Sequence, residues 1–168
     1  RSTLFPYTTL FRSGSAGNVA EQALRQEKRL RIDRLVAEVV DDYVLLAKTR
    51  GMAFEVNAEP TTIRANRDMM RHVISNLVSN AVRHGDAGSV ITITCDQHEL
   101  AIENACKPLT KQQLQHVFDP FYRSSAATKQ HTDSSGIGLY TVKMLLDAKG
   151  LDYDFIPHER GMRFVVRL

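Results

Sequence analysis

The chain has 168 residues, of which 43% are hydrophobic, and this excludes a disordered protein and predicts one compact domain. Its 22 Lys and Arg residues exceed its 19 Asp and Glu residues by only three, an excess too small to indicate a nucleic-acid-binding protein. Cys95 and Cys106 fit no metal-ligand spacing and are too few for a disulfide framework, so a reducing compartment is expected. No run approaches the roughly 20 apolar residues that cross a bilayer.

The first 17 residues differ in character from the rest of the chain. The run RSTLFPYTTLFRS has neither helical nor strand periodicity and leads into the small-residue segment GSAG. We interpret residues 1–17 as a translated vector or adapter fragment, or as a disordered segment, with a native N-terminal strand as the alternative. They are excluded from the fold prediction.

The first half of the remaining chain alternates between helical and strand patterns. From Asn18 the sequence turns helical, and from Ile32 onward apolar residues recur at helical spacing until Gly51. The segments MAFEVN and TTIRAN, separated by Pro60, predict two strands that form a hairpin after this helix. Residues 68–84 then predict a second long helix, which glycines terminate.

The second half begins with SVITITCD and LAIENA, whose alternation and short connection predict an antiparallel hairpin. Residues 111–117 predict a short helix, and the polar residues 124–135 have the composition of a mobile loop. Gly136 opens a third long helix that runs to about Lys149, and the last residues predict two strands joined around 157–161. Helices kept apart from mainly antiparallel strand pairs predict an α+β fold, a two-layer sandwich with a mixed, mostly antiparallel sheet packed on three helices.

The second predicted helix carries a stripe of polar residues. At 100° per residue, Asn76, Asn80 and Arg83 fall within about 60° of one another. Carboxamide oxygens are hard, neutral ligands that suit Mg²⁺, and Arg83 can meet phosphate oxygens as a bidentate donor. The alternative is a solvated helix face that bears these residues by chance.

Two glycines mark the start of the third predicted helix. In the run SSGIGLYTVK, Gly136 and Gly138 stand where a polar loop becomes a helix, so unhindered backbone amides and the helix dipole point at the same place. Anions bind readily at such a position. An ordinary turn between loop and helix is the alternative, because a lone Gly-x-Gly is a weak signal.

Three segments in this order carry a resemblance to a known family. They are NLVSNAVRHG at 76–85, VFDPFYRS at 117–124 and SSGIGLYTVK at 134–143. They resemble the N box, F box and second glycine box of sensor histidine kinases, which share a superfamily with gyrase, heat-shock chaperones and mismatch-repair ATPases. The resemblance covers residues 29–168. It implies a Bergerat fold with an ATP site between the second helix, the polar loop acting as a lid, and the third helix.

The resemblance also implies roles for individual residues. Arg83 stands where the family usually has a phosphate-contacting Lys, and His84 stands where it often has Tyr. The F-box aromatics are either core residues only or, as the resemblance suggests, anchors of the lid. The catalytic residues that it implies are Asn76, Asn80 and Arg83, with Asn80 as the metal ligand. The nucleotide-binding residues that it implies are Asn80, Arg83, His84, Asn104, Phe118, Tyr122, Arg123, Ser135, Gly136, Ile137, Gly138 and Leu139.

One box departs from the family's pattern. Where sensor histidine kinases commonly read Asp-x-Gly-x-Gly, counting back from the F box gives Asn104, Ala105, Cys106, Lys107 and Pro108. A carboxamide oxygen at Asn104 can accept the hydrogen bond from the adenine amine without the charge of an Asp. The loss of both glycines removes backbone freedom at this turn, so altered nucleotide affinity or a degenerate site stays open as an alternative.

The residue at position 76 bears on the type of reaction. Superfamily members that hydrolyse ATP have a Glu there as general base, and an amide cannot accept a proton usefully near neutral pH. Asn76 therefore favours transfer to a supplied nucleophile, with positioning and charge neutralisation as the protein's contribution. We find no acceptor histidine followed by an acidic residue and Pro in this chain, and interpret residues 18–30 as the end of a dimerisation helix or a linker and residues 31–168 as the ATP-binding catalytic domain.

The resemblance thus implies the catalytic domain of a two-component sensor histidine kinase that uses ATP and Mg²⁺. Its partners would be its own dimerisation and histidine-phosphotransfer domain and a response regulator receiver domain, without nucleic acid. The domain would lie in the cytoplasm, as part of a homodimeric parent in the inner or cell membrane. The alternative is a degenerate nucleotide-binding pseudokinase or an anti-sigma-type protein-binding module, although the run VFDPFYRS favours the histidine kinases.

Overall fold

A computed structural model of the chain describes residues 25–122 and 136–168. In chain order, the helices and strands of these two ranges are β1 (Lys28–Arg31), α1 (Ile32–Thr49), β2 (Ala53–Ala58), β3 (Thr62–Ala65), α2 (Arg67–His84), β4 (Val90–Cys95), β5 (Glu99–Ala105), α3 (Lys111–His116), α4 (Gly138–Lys149), β6 (Tyr153–His158) and β7 (Gly161–Arg167).

The central feature is a five-stranded mixed sheet with the strand order β2-β4-β5-β7-β6. Strands β2 and β4 run parallel, and the other neighbours are antiparallel. Strands β1 and β3 form a separate two-stranded antiparallel sheet. The predicted two-layer α+β sandwich is confirmed, because one face of the five-stranded sheet shares its core with the long helices.

The core lies between this sheet face and helices α1, α2 and α4. Alternate strand residues point into it: Ile93 lies opposite Ile102, which lies opposite Phe164, and all three are at most 3% exposed. The other face carries cross-strand ion pairs such as Arg163 to Glu99 at 2.6 Å. An antiparallel sheet with one buried and one solvated face has this alternation.

The helix ends show why the predicted boundaries of α2 and α3 are close to the observed ones. The side chain of Asn66 accepts a hydrogen bond from the Met69 N–H at 3.0 Å, which caps the first turn of α2. Thr110 and Gln113 form a capping box that starts α3. Such caps join residues three positions apart, so the sequence alone can predict them.

The first helix begins at Ile32, so the prediction of helix from Asn18 is wrong for residues 25–27, which are not helical, and for residues 28–31. Residues 28–31 form β1, because Leu30 lies opposite Ile63 and both pack against the core. The Ile32 N–H donates to the Thr61 carbonyl at 3.0 Å and ties the strand pair to the first turn of α1. Residues 18–24 lie outside the described ranges.

The predicted hairpin of β2 and β3 is also wrong, although both strands are present. The three residues between them form hydrogen bonds in other directions: the Glu59 N–H donates to the Cys95 carbonyl at 2.8 Å, and the Thr61 N–H donates to the Asp33 carboxylate at 3.1 Å. Pro60 has no N–H to offer. The chain therefore leaves the five-stranded sheet after β2 and joins the small sheet at β3.

Smaller differences occur near the C-terminus. Helix α4 begins at Gly138 and not at Gly136, whose φ of +69° cannot continue a right-handed helix. The final hairpin is confirmed, with Pro157 inside β6, where an edge strand tolerates it. Among the helices of the described ranges, none combines the length and apolar character needed to cross a bilayer.

Candidate functional site

The polar stripe of α2 and the glycine at the start of α4 meet in space. A Cβ atom added to Gly138 would lie only 3.2 Å from Asn76 Oδ1. The two helices are held in this arrangement by their apolar sides, since Leu77 of α2 and Val142 of α4 are both buried in the core. Two motifs that stand 62 positions apart in the chain are thus brought into contact.

Asn76 is oriented by its own helix. Its Nδ2 donates to the carbonyl of His72 at 2.9 Å, which leaves Oδ1 directed toward Gly138. A larger residue at position 138 would press on this carboxamide. The glycine at the start of α4 therefore lets the two helices approach closely at this point.

Asn80, Arg83 and His84 follow Asn76 along α2 and differ in burial and bonding. Asn80 is half-buried, and its carboxamide makes no hydrogen bond within the described part of the chain. Arg83 is also half-buried, and its Nε donates to Ser79 Oγ at 3.2 Å. His84 at the end of the helix is exposed. A ligand could therefore bond to Asn80 and Arg83 with little loss of existing hydrogen bonds.

The aromatic residues of the predicted F box divide between two environments. Phe118 packs edge-on against Tyr153 and Phe164, with ring centroids 5.6 and 6.2 Å apart, so it is a partly buried residue that packs against the core. Phe121 is 72% exposed. The Tyr122 ring lies 5.9 Å from the ring of His116.

A backbone clasp joins the end of the F box to the start of the glycine box. The Phe121 N–H donates to the Gly136 carbonyl at 3.0 Å. A Cβ on Gly136 would lie 2.9 Å from Phe121 Cα and 3.0 Å from the Tyr122 carbonyl oxygen, so only glycine fits. The half-buried Ile137 precedes α4 and its carbonyl accepts the Thr141 N–H at 2.8 Å.

The remaining predicted residues of this region fall into two groups. Leu139, in the first turn of α4, packs against the core and holds the helix start in place. Arg123 and Ser135, together with the predicted mobile loop at 124–135, lie outside the described residues.

Asn104 lies near the end of β5 and is only 7% exposed. Its side chain lies beside the thiol of Cys106, and burial raises the pKa of that thiol. A Cβ on Gly85 would lie 3.6 Å from Asn104 Nδ2. The position at which the sequence departs from the family's pattern thus lies beside the C-terminal end of α2.

Sequence reasoning did not find the contact that connects these two segments. The Asp86 N–H donates to the Ala105 carbonyl at 2.7 Å, which fixes the residue after α2 against the end of β5. Gly85 allows this approach, because a Cβ there would lie 2.5 Å from Met52 Cε and 2.6 Å from the Ala81 carbonyl. The sequence feature that could have indicated this contact is the run His84, Gly85 and Asp86, whose glycine we interpreted only as the end of the helix.

The donor set that the sequence predicts would suit an anionic nucleotide with a hard cation. It consists of the neutral carboxamides of Asn76, Asn80 and Asn104, the guanidinium of Arg83 and backbone amides near Gly138. No cluster of three or more His, Cys, Asp or Glu residues that could hold a metal exists in the described ranges. A cation bound through Asn80 would therefore take its other ligands from phosphate oxygens and water, which Mg²⁺ accepts.

Comparisons with known proteins show the family of the chain. The profile of the histidine kinase-, DNA gyrase B- and HSP90-like ATPases matches residues 65–168. The chain is 34% identical over 140 residues to the sensor histidine protein kinase HK06 of Streptococcus pneumoniae serotype 2, covering 83% of this chain and 31% of the relative. It is 30% identical over 151 residues to the sensor histidine kinase CusS of Escherichia coli K12, covering 88% and 32%. The chain thus spans about a third of the length of these relatives.

Solved structures show the same fold. The catalytic domain of histidine kinase ThkA superimposes with a TM-score of 0.72 at 20% identity, over 85% of this chain and 96% of that chain. The mycobacterial sensor histidine kinase MprB gives a TM-score of 0.69 at 20% identity, over 84% and 96%. The chain therefore belongs to the histidine kinase-, DNA gyrase B- and HSP90-like ATPase family, as an ATP-binding domain of the bacterial sensor histidine kinase type.

Proposed function

We propose that this domain binds Mg-ATP and donates the γ-phosphoryl group to a histidine on a separate dimerisation domain, for relay to a response regulator. The observation that supports this most strongly is the contact between Asn76 on α2 and Gly138 at the start of α4. The contact supports a site between the two helices, with a carboxamide of the α2 stripe on one side and the glycine start of α4 on the other.

Each side of the site has its own task in this proposal. Asn80 offers a carboxamide oxygen to the cation, and Arg83 offers guanidinium donors to phosphate oxygens. The backbone around Gly136 and Gly138 can approach an anion closely, at the positive end of the α4 dipole. Bound Mg-ATP would supply the transferable phosphoryl group and two positive charges to offset the phosphates.

Asn76 sets the proposed type of reaction. An amide is not a base near neutral pH, so this position cannot activate a water molecule for hydrolysis. Its carboxamide is instead held by the His72 carbonyl and faces α4. Positioning of the phosphates toward an external histidine is the catalytic contribution that such a site can make.

The base end of the site is proposed to lie at Asn104. Its carboxamide is buried beside Gly85 and Cys106, where a neutral acceptor can read the adenine amine without the cost of a buried charge. His84, Phe118, Tyr122, Ile137 and Leu139 complete the proposed set of residues that line the nucleotide or support the residues that do.

The partners and location of the parent protein are proposals as well. The curated relatives are sensor kinases about three times as long as this chain. We propose a homodimeric parent anchored in the cell membrane, with this domain on the cytoplasmic side. Its partners would be the dimerisation domain of the same protein and a receiver domain.

Calorimetric titration with ATP, in the presence and absence of Mg²⁺, tests the proposal. Asn80→Ala should weaken ATP binding strongly with Mg²⁺ and far less without it, because only the metal-dependent part of the affinity uses the carboxamide. The control is Asn57→Ala, since Asn57 is exposed on β2 and donates to Glu55. Equal losses in both conditions would contradict the metal role of Asn80. A wild-type chain that binds no nucleotide would favour a degenerate, protein-binding module.

A further inference from the structure

The residue that follows helix α1, Arg50, extends its side chain to the end of α2 that carries the proposed site. We propose that Arg50 is a positioning residue for the nucleotide: it holds the last turn of α2 so that Arg83 faces the phosphates. This inference rests on the proposed function and adds to it a residue that contacts no ligand.

The guanidinium of Arg50 spans three carbonyl groups at the C-terminal end of α2. Its Nη1 donates to the carbonyls of Val82 and Arg83, the latter at 2.6 Å. Its Nη2 donates to the carbonyl of Gly85 at 2.9 Å. One of the three acceptors therefore belongs to the proposed phosphate-binding residue itself.

The need for such a side chain follows from helix geometry. The last four carbonyls of a helix have no partner within it, and the C-terminal end carries a partial negative charge. Here the Ala81 carbonyl accepts the Gly85 N–H, and Arg50 satisfies the next two. A guanidinium is suited to this task because it offers five donors in a planar fork together with a positive charge.

The backbone around Arg50 is tied to the same region. The Gly88 N–H donates to the Arg50 carbonyl at 3.0 Å, and Gly51, with a φ of +66°, lies against Gly88. The end of α1 and the loop after α2 thus form one packed unit. Within it, Arg50 decides whether the last turn of α2 stays helical or frays.

Fraying of this turn would affect one part of the site more than another. Arg83 lies in the last turn, whereas Asn76 lies two turns earlier and is buttressed by the α4 start. Loss of Arg50 should therefore weaken the phosphate contact through Arg83 and leave the α2–α4 contact in place.

The test combines Arg50→Met, Arg50→Lys and Arg83→Ala in calorimetric titrations with Mg-ATP and with adenosine. Arg50→Met should weaken Mg-ATP binding about tenfold, the size expected for the loss of hydrogen bonds to a charged group. Arg50→Lys keeps the charge but not the fork, so its affinity should be intermediate. Adenosine affinity should change little. In the Arg83→Ala background, Arg50→Met should cost less than about threefold, because non-additivity reports coupling.

The matched control is Arg163→Met, which removes another half-buried arginine, one that donates to Glu99 on the outer face of the sheet. It should leave Mg-ATP affinity unchanged. Unchanged affinity in Arg50→Met and Arg50→Lys, or an equal loss with and without Arg83, would overturn the role of Arg50 while the proposed function stands. Absence of nucleotide binding by the wild-type chain would overturn both. Should Arg50→Met not fold, the Arg50→Lys titrations, with and without Arg83, decide the matter alone.

Discussion

Burial decides what a change at Asn104 would do. The side chain is 7% exposed and lies beside the Cys106 thiol, so under the proposed function a carboxylate there would exchange a weaker hydrogen bond to adenine for a stronger one and lose hydration at the same time. The two effects appear in different measurements. Nucleotide affinity reports the first, and the stability of the nucleotide-free protein reports the second.

We expect Asn104→Asp to raise ATP affinity about fivefold, since a charge-assisted hydrogen bond gains roughly 1 kcal/mol over a neutral one. The preference for ATP over GTP should rise too, because guanine offers a carbonyl where adenine offers an amine. The free energy of unfolding should fall by about 1–3 kcal/mol near pH 7. Titration calorimetry and urea denaturation check these outcomes, with Asn57→Asp as the exposed control. If Asn104→Asp and Asn104→Ala both leave affinity and base preference unchanged, Asn104 does not read the base.

Asp33 carries a second residue-scale prediction, on pH. Its hydrogen bonds from the Arg31 guanidinium, at 2.8 and 2.6 Å, and from the Thr61 N–H hold the pKa of this carboxyl well below its usual range. A depressed pKa means that the charged form stabilises the fold above the unfolded pKa of about 3.9 and that this stability is lost as the pH falls.

Asp33→Asn should therefore lower the free energy of unfolding by about 1–3 kcal/mol at pH 7, the usual worth of hydrogen bonds to a charged group. The difference from the wild type should shrink as the pH falls below about 4, because the unfolded chain then takes up a proton that the folded carboxylate does not. Urea denaturation at several pH values measures this. Asp41→Asn, at an exposed position of α1, is the control. A gap that stays constant with pH would show that the charge of Asp33 is not its source.

At the scale of elements, the clasp between Phe121 and Gly136 sets where α4 begins. Gly136 has a φ of +69° and sits against the backbone of Phe121 and Tyr122. Gly150 at the other end of α4 has a φ of +74° but no neighbour within 4 Å of an added Cβ. A side chain at Gly150 would therefore meet backbone strain alone, whereas a side chain at Gly136 would meet both backbone strain and a steric clash.

Gly150→Ala should cost about 1–2 kcal/mol of unfolding free energy, the penalty of a left-handed conformation for an L-residue. Gly136→Ala should cost more, because backbone atoms 2.9 Å away cannot move aside, and it alone should weaken Mg-ATP binding. Urea denaturation and calorimetry compare the pair. Equal stability losses, or intact nucleotide affinity in Gly136→Ala, would contradict the proposed link between the clasp and the site.

At the scale of the whole molecule, the proposed site would combine residues from three separate segments. Helix α2 supplies Asn80 and Arg83, α4 supplies its glycine start, and the end of β5 supplies Asn104. The shared core of sheet and helices holds them in register. The site carries no group that could act as a base toward water at position 76, and this decides what the isolated domain can do.

We expect the isolated chain to show no histidine autophosphorylation and little ATP turnover. Radiolabelled ATP should leave no acid-labile label on the protein, and phosphate release should stay well below about 1 s⁻¹, an ordinary enzyme rate. Asn80→Ala provides the background for contaminating activity. Phosphate release at that rate or faster, lost in Asn80→Ala, would place the function with the ATPases that hydrolyse ATP.

Much of the fold follows from short-range patterns in the sequence. The helical spacing after Ile32, the caps at Asn66 and Thr110, and the alternation in the β4–β5 and β6–β7 hairpins act over a few residues, so composition and spacing predict them. The same holds for the motifs on α2 and at the start of α4. Side-chain periodicity is a local property, and the sequence determined it.

The tertiary structure alone decided the long-range choices. It pairs β2 with β4 in parallel and β3 with β1, and it buries Asn104. It also brings the side chain of Arg50, which follows α1, to the carbonyls at the end of α2. Each outcome depends on competition among backbone donors and acceptors that are distant in the chain, such as the Thr61 N–H, which bonds to Asp33 instead of a neighbouring strand. Local patterns leave that competition open, because a strand's side-chain alternation is the same whichever partner it finds.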